Sequence, residues 1–208
     1  MGMSVAQEAA TGPRAFAGAQ AGSPLPNRHQ EYPMASTSKA AAKTPAQKAA
    51  DTRAKDATAL LKADHAEVKA LFKEYQKLVD DEAEGEERQA LAEQICMMLT
   101  VHATIEEEIF YPAAREVLSE EDMDLVDEAD VEHASAKDLI AQIQSMGPDD
   151  ELYDAKVKVL GEYIDHHVKE EQDEMFPKVK DAGMDTKAVG EELLARKEAL
   201  MAELGIEA

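Results

Sequence analysis

Two histidine–glutamate pairs at a four-residue spacing, His102 with Glu106 and His167 with Glu171, set the tightest limit on how this chain can fold. In an α-helix, residues four apart stand one above the other, so each pair projects an imidazole and a carboxylate at one spot. The surroundings repeat as well: Pro112 follows His102 by ten residues and Pro177 follows His167 by ten. The segments His-Ala-Thr-Ile-Glu-Glu-Glu-Ile-Phe-Tyr-Pro and His-Val-Lys-Glu-Glu-Gln-Asp-Glu-Met-Phe-Pro thus match in ligand placement and in their aromatic-proline endings. His65 and His133 lie in two further amphipathic stretches, which gives one histidine to the inner face of each of four helices.

Apolar periodicity supplies those faces. The first stripe reads Ala57, Leu61, His65, Val68 and Phe72, and stops in an acidic link from Asp80 to Gly85, short enough to join antiparallel neighbours. Helix two starts near Glu86 with Ile95, Leu99, His102, Glu106 and Ile109 inward, and Pro112 is expected to end or kink it. Ser119 with Asp122 resembles a capping box for helix three, whose inner side is Leu125 or Val126, Ala129, His133, Ala136 and Ile140 before Gly147 and Pro148 break it. Asp149 or Asp150 is the expected next N-cap.

Helix four offers adjacent histidines, and periodicity chooses between them. Leu160, Ile164, His167, Glu171 and Met175 form the apolar stripe, whereas Val159, Glu162, His166, Glu170 and Asp173 form a polar one, so His166 and Glu170 are expected to face solvent. A last amphipathic stretch, about Asp185 to Leu204, predicts a fifth helix packed outside the other four.

Aromatic residues are only 4% of the 208, while Ala, Leu, Glu and Lys dominate, which favours an all-α fold over a sheet. The expected organisation is a low-complexity, disordered tail over 1–45, a bundle over 46–182 and a C-terminal helix over 183–208. Pro13, Pro24, Pro26 and Pro33 forbid a stable helix in the tail. The run from Met34 would itself serve as a protein start, so residues 1–33 are expected to be an over-long reading of the gene.

The formal charge of −22 argues against nucleic acid or an anionic membrane as partner and makes cations the natural company. No stretch approaches the roughly 20 apolar residues of a membrane span, and Cys96 stands alone, which fits a reducing cytoplasm. No serine or cysteine nucleophile lies beside a histidine base and no glycine-rich phosphate loop occurs, so hydrolase and kinase chemistry lack support. Met97, Met98 and Met175 read as core packing, and only one carboxylate in each of the runs Glu106–Glu108 and Glu170–Glu171 can share the histidine's face; the others are expected at the surface.

A single buried histidine is ordinarily a hydrogen-bonded core residue. Four of them, buried with two carboxylates and no cation, would leave polar groups unpaired at several kcal/mol each. A cation between them removes that cost.

The ordered set His65, His102 with Glu106, His133, and His167 with Glu171 resembles the hemerythrin-like (HHE cation-binding) family over about Ala57 to Lys180. The resemblance implies an up-down-up-down four-helix bundle holding two non-haem iron ions joined by an oxo or hydroxo bridge. His65 and His102 would serve one iron, His133 and His167 the other, with Glu106 and Glu171 bridging. Oxygen-carrying relatives place a further histidine one turn after the third-helix histidine, where this chain has Lys137. Protonated lysine has no lone pair to give a metal, which argues against reversible oxygen transport and for binding or sensing of O2, NO or peroxide. Tyr163, four residues before His167 on the same face, is one candidate to fill the vacant place, although a core tyrosine hydrogen-bonded to a neighbour is the ordinary reading. Iron storage or buffering and a weak peroxide-consuming diiron enzyme are the alternatives; whether the chain turns over a substrate, and its oligomeric state, stay open.

Overall fold

The computed structural model of the protein describes residues 56–205, and the expected tail and the Met34 start lie outside them. The described residues are helical, with no strand among them. The elements are α1 (Ala57–Asp80), α2 (Gly85–Ile105), α3 (Tyr111–Val117), α4 (Met123–Gln144), α5 (Tyr153–Glu170), α6 (Phe176–Asp181) and α7 (Thr186–Glu203). One turn of π-helix, Glu106–Phe110, joins α2 to α3, and another, Glu171–Met175, joins α5 to α6. The fold is the up-down-up-down four-helix bundle of α1, α2, α4 and α5, each packed on two of the others, with α7 laid against α1, α2 and the first π turn.

The apolar stripes fill the bundle as two clusters. Leu61, Ile105, Phe110, Tyr111, Val126, Phe176 and Leu193 belong to one; Val68, Tyr75, Ile95, Leu99, Ile140, Leu160 and Ile164 belong to the other. The choice left open on helix three falls to Val126, which is fully buried while Leu125 is half-buried. At the far end Tyr75 donates to Asp154 at 2.6 Å and Arg88 grips both oxygens of Asp154 at 2.5 and 2.6 Å, so α1, α2 and α5 are tied together there. Burial, with Asp154 beside it, pushes the Tyr75 hydroxyl well above its usual range.

The helix ends differ from the sequence expectation in three places. Pro112 and Pro177 do not end their helices: each sits in the first turn after a π turn, where its missing N–H is least costly. Ser119 makes no side-chain cap; its hydroxyl donates instead to Asp122 Oδ2 at 2.8 Å, and a turn of 3₁₀-helix, Glu120–Asp122, leads into α4. Leu152, not Asp149 or Asp150, occupies the N-cap of α5, because Asp150 is turned back to accept from the Gly147 N–H at 2.8 Å. By contrast Asp56 caps α1 through the Ala59 N–H at 3.1 Å, and Asp185 caps α7 through the Ala188 N–H at 3.0 Å.

Candidate metal centre

The two apolar clusters leave a polar layer between them, and all six residues singled out by spacing lie in it. His65, His102, His133 and His167 are buried, as are Glu106 and Glu171. His65, His102, Glu106 and Glu171 each offer a donor atom within 4.8 Å of the others, and so do Glu106, His133 and His167. His65 Nε2 stands 2.9 Å from His102 Nε2, and His133 Nε2 stands 3.1 Å from His167 Nε2. Glu106 Oε2 is 3.2 Å from His102 Nε2 and 3.4 Å from His133 Nε2; Glu171 Oε2 is 3.2 Å from His65 Nε2 and 3.7 Å from His167 Nε2. Each carboxylate therefore reaches toward both imidazole pairs.

The outer edges of the imidazoles are held just as systematically. His133 Nδ1 is 3.0 Å from Glu107 Oε1, His167 Nδ1 is 2.8 Å from Glu132 Oε2, and His102 Nδ1 faces Asp64 Oδ2 at 3.5 Å. A carboxylate only accepts, so Glu107 and Glu132 call for the proton on Nδ1 of His133 and His167 and leave those Nε2 lone pairs pointing inward, while the Asp64–His102 approach makes no hydrogen bond. His65 Nδ1 meets the Gln172 amide at 3.0 Å, a group that can serve it with either end.

Every one of these partners is the sequence neighbour of a site residue yet supports a histidine on another helix. The pattern repeats with the chain: Asp64 to His102 as Glu132 to His167, and Glu107 to His133 as Gln172 to His65. Tyr111 and Phe176 complete the repeat, each across the bundle against the other half's first histidine. The Tyr111 ring lies 5.3 Å from His133, and the Phe176 ring is stacked at 6.1 Å on His65. The Tyr111 hydroxyl adds a polar contact with no counterpart at Phe176, donating to Glu171 Oε1 at 3.1 Å and lying 3.1 Å from His133 Nε2.

The electrostatics fit a site built around positive charge. Glu106 is fully buried and neither of its oxygens has a hydrogen-bond partner among the described residues; Glu171 Oε2 is in the same position. Burial and the neighbouring Glu171 charge push Glu106 well above the usual carboxylate range. Burial would raise Glu171 too, but the surrounding imidazoles, His167 foremost, hold it below that range. Burial also depresses His65, and it takes His133 down to about 4 with help from His167. His167 goes the other way, raised against its burial by Glu171 and Glu132. Left to itself this layer keeps protons where opposing lone pairs would otherwise meet, and imidazole and carboxylate donors of this kind suit iron, zinc or manganese. The donor set and the orphaned oxygens together fit a bound cation pair.

Two sequence expectations are corrected here. Tyr163 does not share the inner face of His167; it is half exposed and lies over Val131 and Val159 on the outside of α4 and α5. Glu107 is not plain surface, since it holds His133. Lys137 donates to the same Glu107 at 2.6 Å, so it braces the carboxylate from outside. His166, 61% exposed, does face solvent, near Glu132 and Glu170 at 3.4 and 3.3 Å. Lys197 of α7 donates to Asp64 at 2.6 Å, so the fifth helix supports the His102 partner directly.

The fold is similar to the crystal structure of a hemerythrin HHE cation binding domain-containing protein from Mycobacterium kansasii, with a TM-score of 0.59 and 24% identity over 71% of this chain and 88% of that one. A protein of Nostoc sp. named DNA nickase is 29% identical over 149 residues; the match takes in 70% of this chain but only 40% of that relative's length. The family model of the hemerythrin HHE cation binding domain matches residues 56–179, a span containing all six converging residues, and the chain belongs to that family.

Proposed function

We propose that His65, His102, Glu106, His133, His167 and Glu171 hold two non-haem iron ions and that the loaded site binds or senses O2, NO or peroxide. The observation that carries this reading is the inward convergence of the histidine Nε2 atoms on carboxylate oxygens that no protein donor satisfies. Iron, when bound, supplies open coordination positions and one-electron chemistry for such small ligands. The chain's own contribution is orientation. Glu107 and Glu132 fix the tautomers of His133 and His167, and Phe110, Tyr111 and Phe176 close the site on one side with aromatic rings.

Lys137 supports a ligand-binding rather than an oxygen-transporting role, because its ammonium is engaged by Glu107 and offers no donor to a metal. Iron buffering draws support from the acidic surface and would show as many irons per chain. Strand cleavage, suggested by the name of the Nostoc relative, is disfavoured by the −22 charge, which repels DNA. The test is optical spectroscopy of iron-loaded protein under air, after dithionite and with NO. The expected result is a charge-transfer spectrum that bleaches on reduction and changes on adding NO; a spectrum indifferent to all three would overturn the reading.

A further inference from the structure

On the side of the centre away from the aromatic rings, the histidines open into a cavity of about 350 Å³. Its walls are apolar, formed by Leu99, Ala103, Ala136, Ile140 and Ile164, with Met97 and Met98 in the wall and Lys197 and Met201 of α7 contributing to the lining. A diatomic gas or a peroxide needs little more than the ~30 Å³ that a water molecule takes up, and a protein cavity of roughly 150 Å³ already accommodates benzene. The space is therefore too large for the small ligands proposed above and has the size and lining of an organic-ligand site. Two alanines make it: Ala136 lies one turn after His133 and Ala103 adjoins His102, positions where a larger apolar residue would have filled the bundle core as it does elsewhere.

We infer that this cavity binds an uncharged, apolar organic molecule carrying one hydroxyl or hydroperoxyl oxygen, with its hydrocarbon part against the alanine and isoleucine walls and its oxygen toward the histidines. The head is not anionic, because the chain as a whole repels anions and the cations on the lining are already engaged. An O–H can donate to the inward lone pairs when no metal is bound, and the same oxygen keeps a lone pair for a metal when one is. The cations on the lining, Lys137 and Lys197, are already paired with Glu107 and Asp64, so neither is available to recruit a carboxylate. Methionines in the wall suit a ligand of variable shape, since their unbranched side chains repack readily.

The inference rests on the proposed metal centre only for the direction of the head. The test is calorimetric titration of full-length protein, iron-loaded and metal-free, with 1-octanol and with octanoate, alongside NMR of methyl-labelled methionine. Saturable 1-octanol binding in both forms is expected, at least tenfold tighter than octanoate, with shifts at Met97 and Met98. Ala136→Leu and, independently, Ala103→Leu should each weaken 1-octanol at least tenfold while leaving helical circular dichroism intact; Val131→Ala on the exposed face should change nothing. Absence of saturable binding, octanoate binding as tight as 1-octanol, or unaltered affinity in a folded cavity-filling variant would overturn it. Loss of iron binding with 1-octanol binding retained would count against the metal centre alone, and the reverse result against the cavity alone.

Discussion

The adjacent histidines of α5 show how much a single position can decide. His167 is buried with its Nε2 in the polar layer, and His166 is at the surface one residue away. His167→Ala should cost about one iron or the pair, while His166→Ala should leave iron content at its wild-type value, as measured by metal analysis after desalting. Equal losses in both variants would refute the assigned register. Tyr111 permits a subtler change. Tyr111→Phe converts the His133 side of the centre to the arrangement Phe176 already makes beside His65, and should lower stability in denaturant titrations by about 1 kcal/mol without loss of iron. The six inward residues could be read from the sequence because helical periodicity fixes which of two neighbours is buried. Their partners could not: Asp64, Glu107, Glu132 and Gln172 look like surface neighbours of site residues, and their roles appear only when a second helix is brought alongside.

At the scale of the element, the π turns explain what helical periodicity alone misplaces. In an α-helix, residues five apart point about 140° away from each other. An i→i+5 turn returns them nearly to one face, and the Tyr111 and Phe176 N–H groups do bond to the Glu106 and Glu171 carbonyls. Tyr111 therefore follows Glu106 into the centre, whereas a regular helix would have turned it away. The sequence signal was present in the matched aromatic-proline endings, but a proline after an apolar run reads first as a helix end. The support layer makes its own prediction: Glu107→Gln should weaken iron binding by roughly 10–100-fold, since the amide no longer fixes the His133 tautomer. A titration giving wild-type affinity would show that Glu107 is not needed to orient the imidazole. At the start of α1, Asp56 accepts from Ala59, from Thr58 at 2.7 Å and from Thr186 at 2.6 Å, joining the α1 cap to the first residue of α7. Burial would raise its carboxyl, but the hydrogen bonds from Thr186, Thr58 and Ala59, with Lys180 nearby, outweigh it and hold the carboxyl below its ordinary range. A depressed folded value stabilises above the unfolded pKa and is lost as pH falls through the folded one. The stability gap between wild type and Asp56→Ala, about 1 kcal/mol for a cap, should thus be full at neutral pH and shrink below about pH 4.

For the whole molecule, the bundle is two halves that repeat one plan around a shared polar layer, with aromatic rings on one side and the cavity on the other. Fold class and the number of bundle helices were legible because four apolar stripes and short links leave few other ways to bury the chain. The cavity was not, since small residues on an inner face read as ordinary packing until the opposing helices are in place. The fifth helix was foreseen as an outer layer, but its Lys197 contact with Asp64 was not, because pairing between residues 133 apart leaves no local pattern. A metal pair held by four helices at once should tie their stabilities together. Removing it with a chelator should lower the melting temperature by roughly 5–10 °C, taking about 2.7 kcal/mol of linkage at metal concentrations near a hundredfold above Kd. A melting temperature indifferent to chelators would mean that the polar layer is satisfied without metal. The most direct measurement is the iron content of wild-type protein reconstituted anaerobically with ferrous iron and desalted, beside the Glu106→Ala/Glu171→Ala double variant. Two irons per wild-type chain and none in a folded double variant are predicted; substoichiometric iron in the wild type, or equal iron in both, would contradict a centre built from these residues.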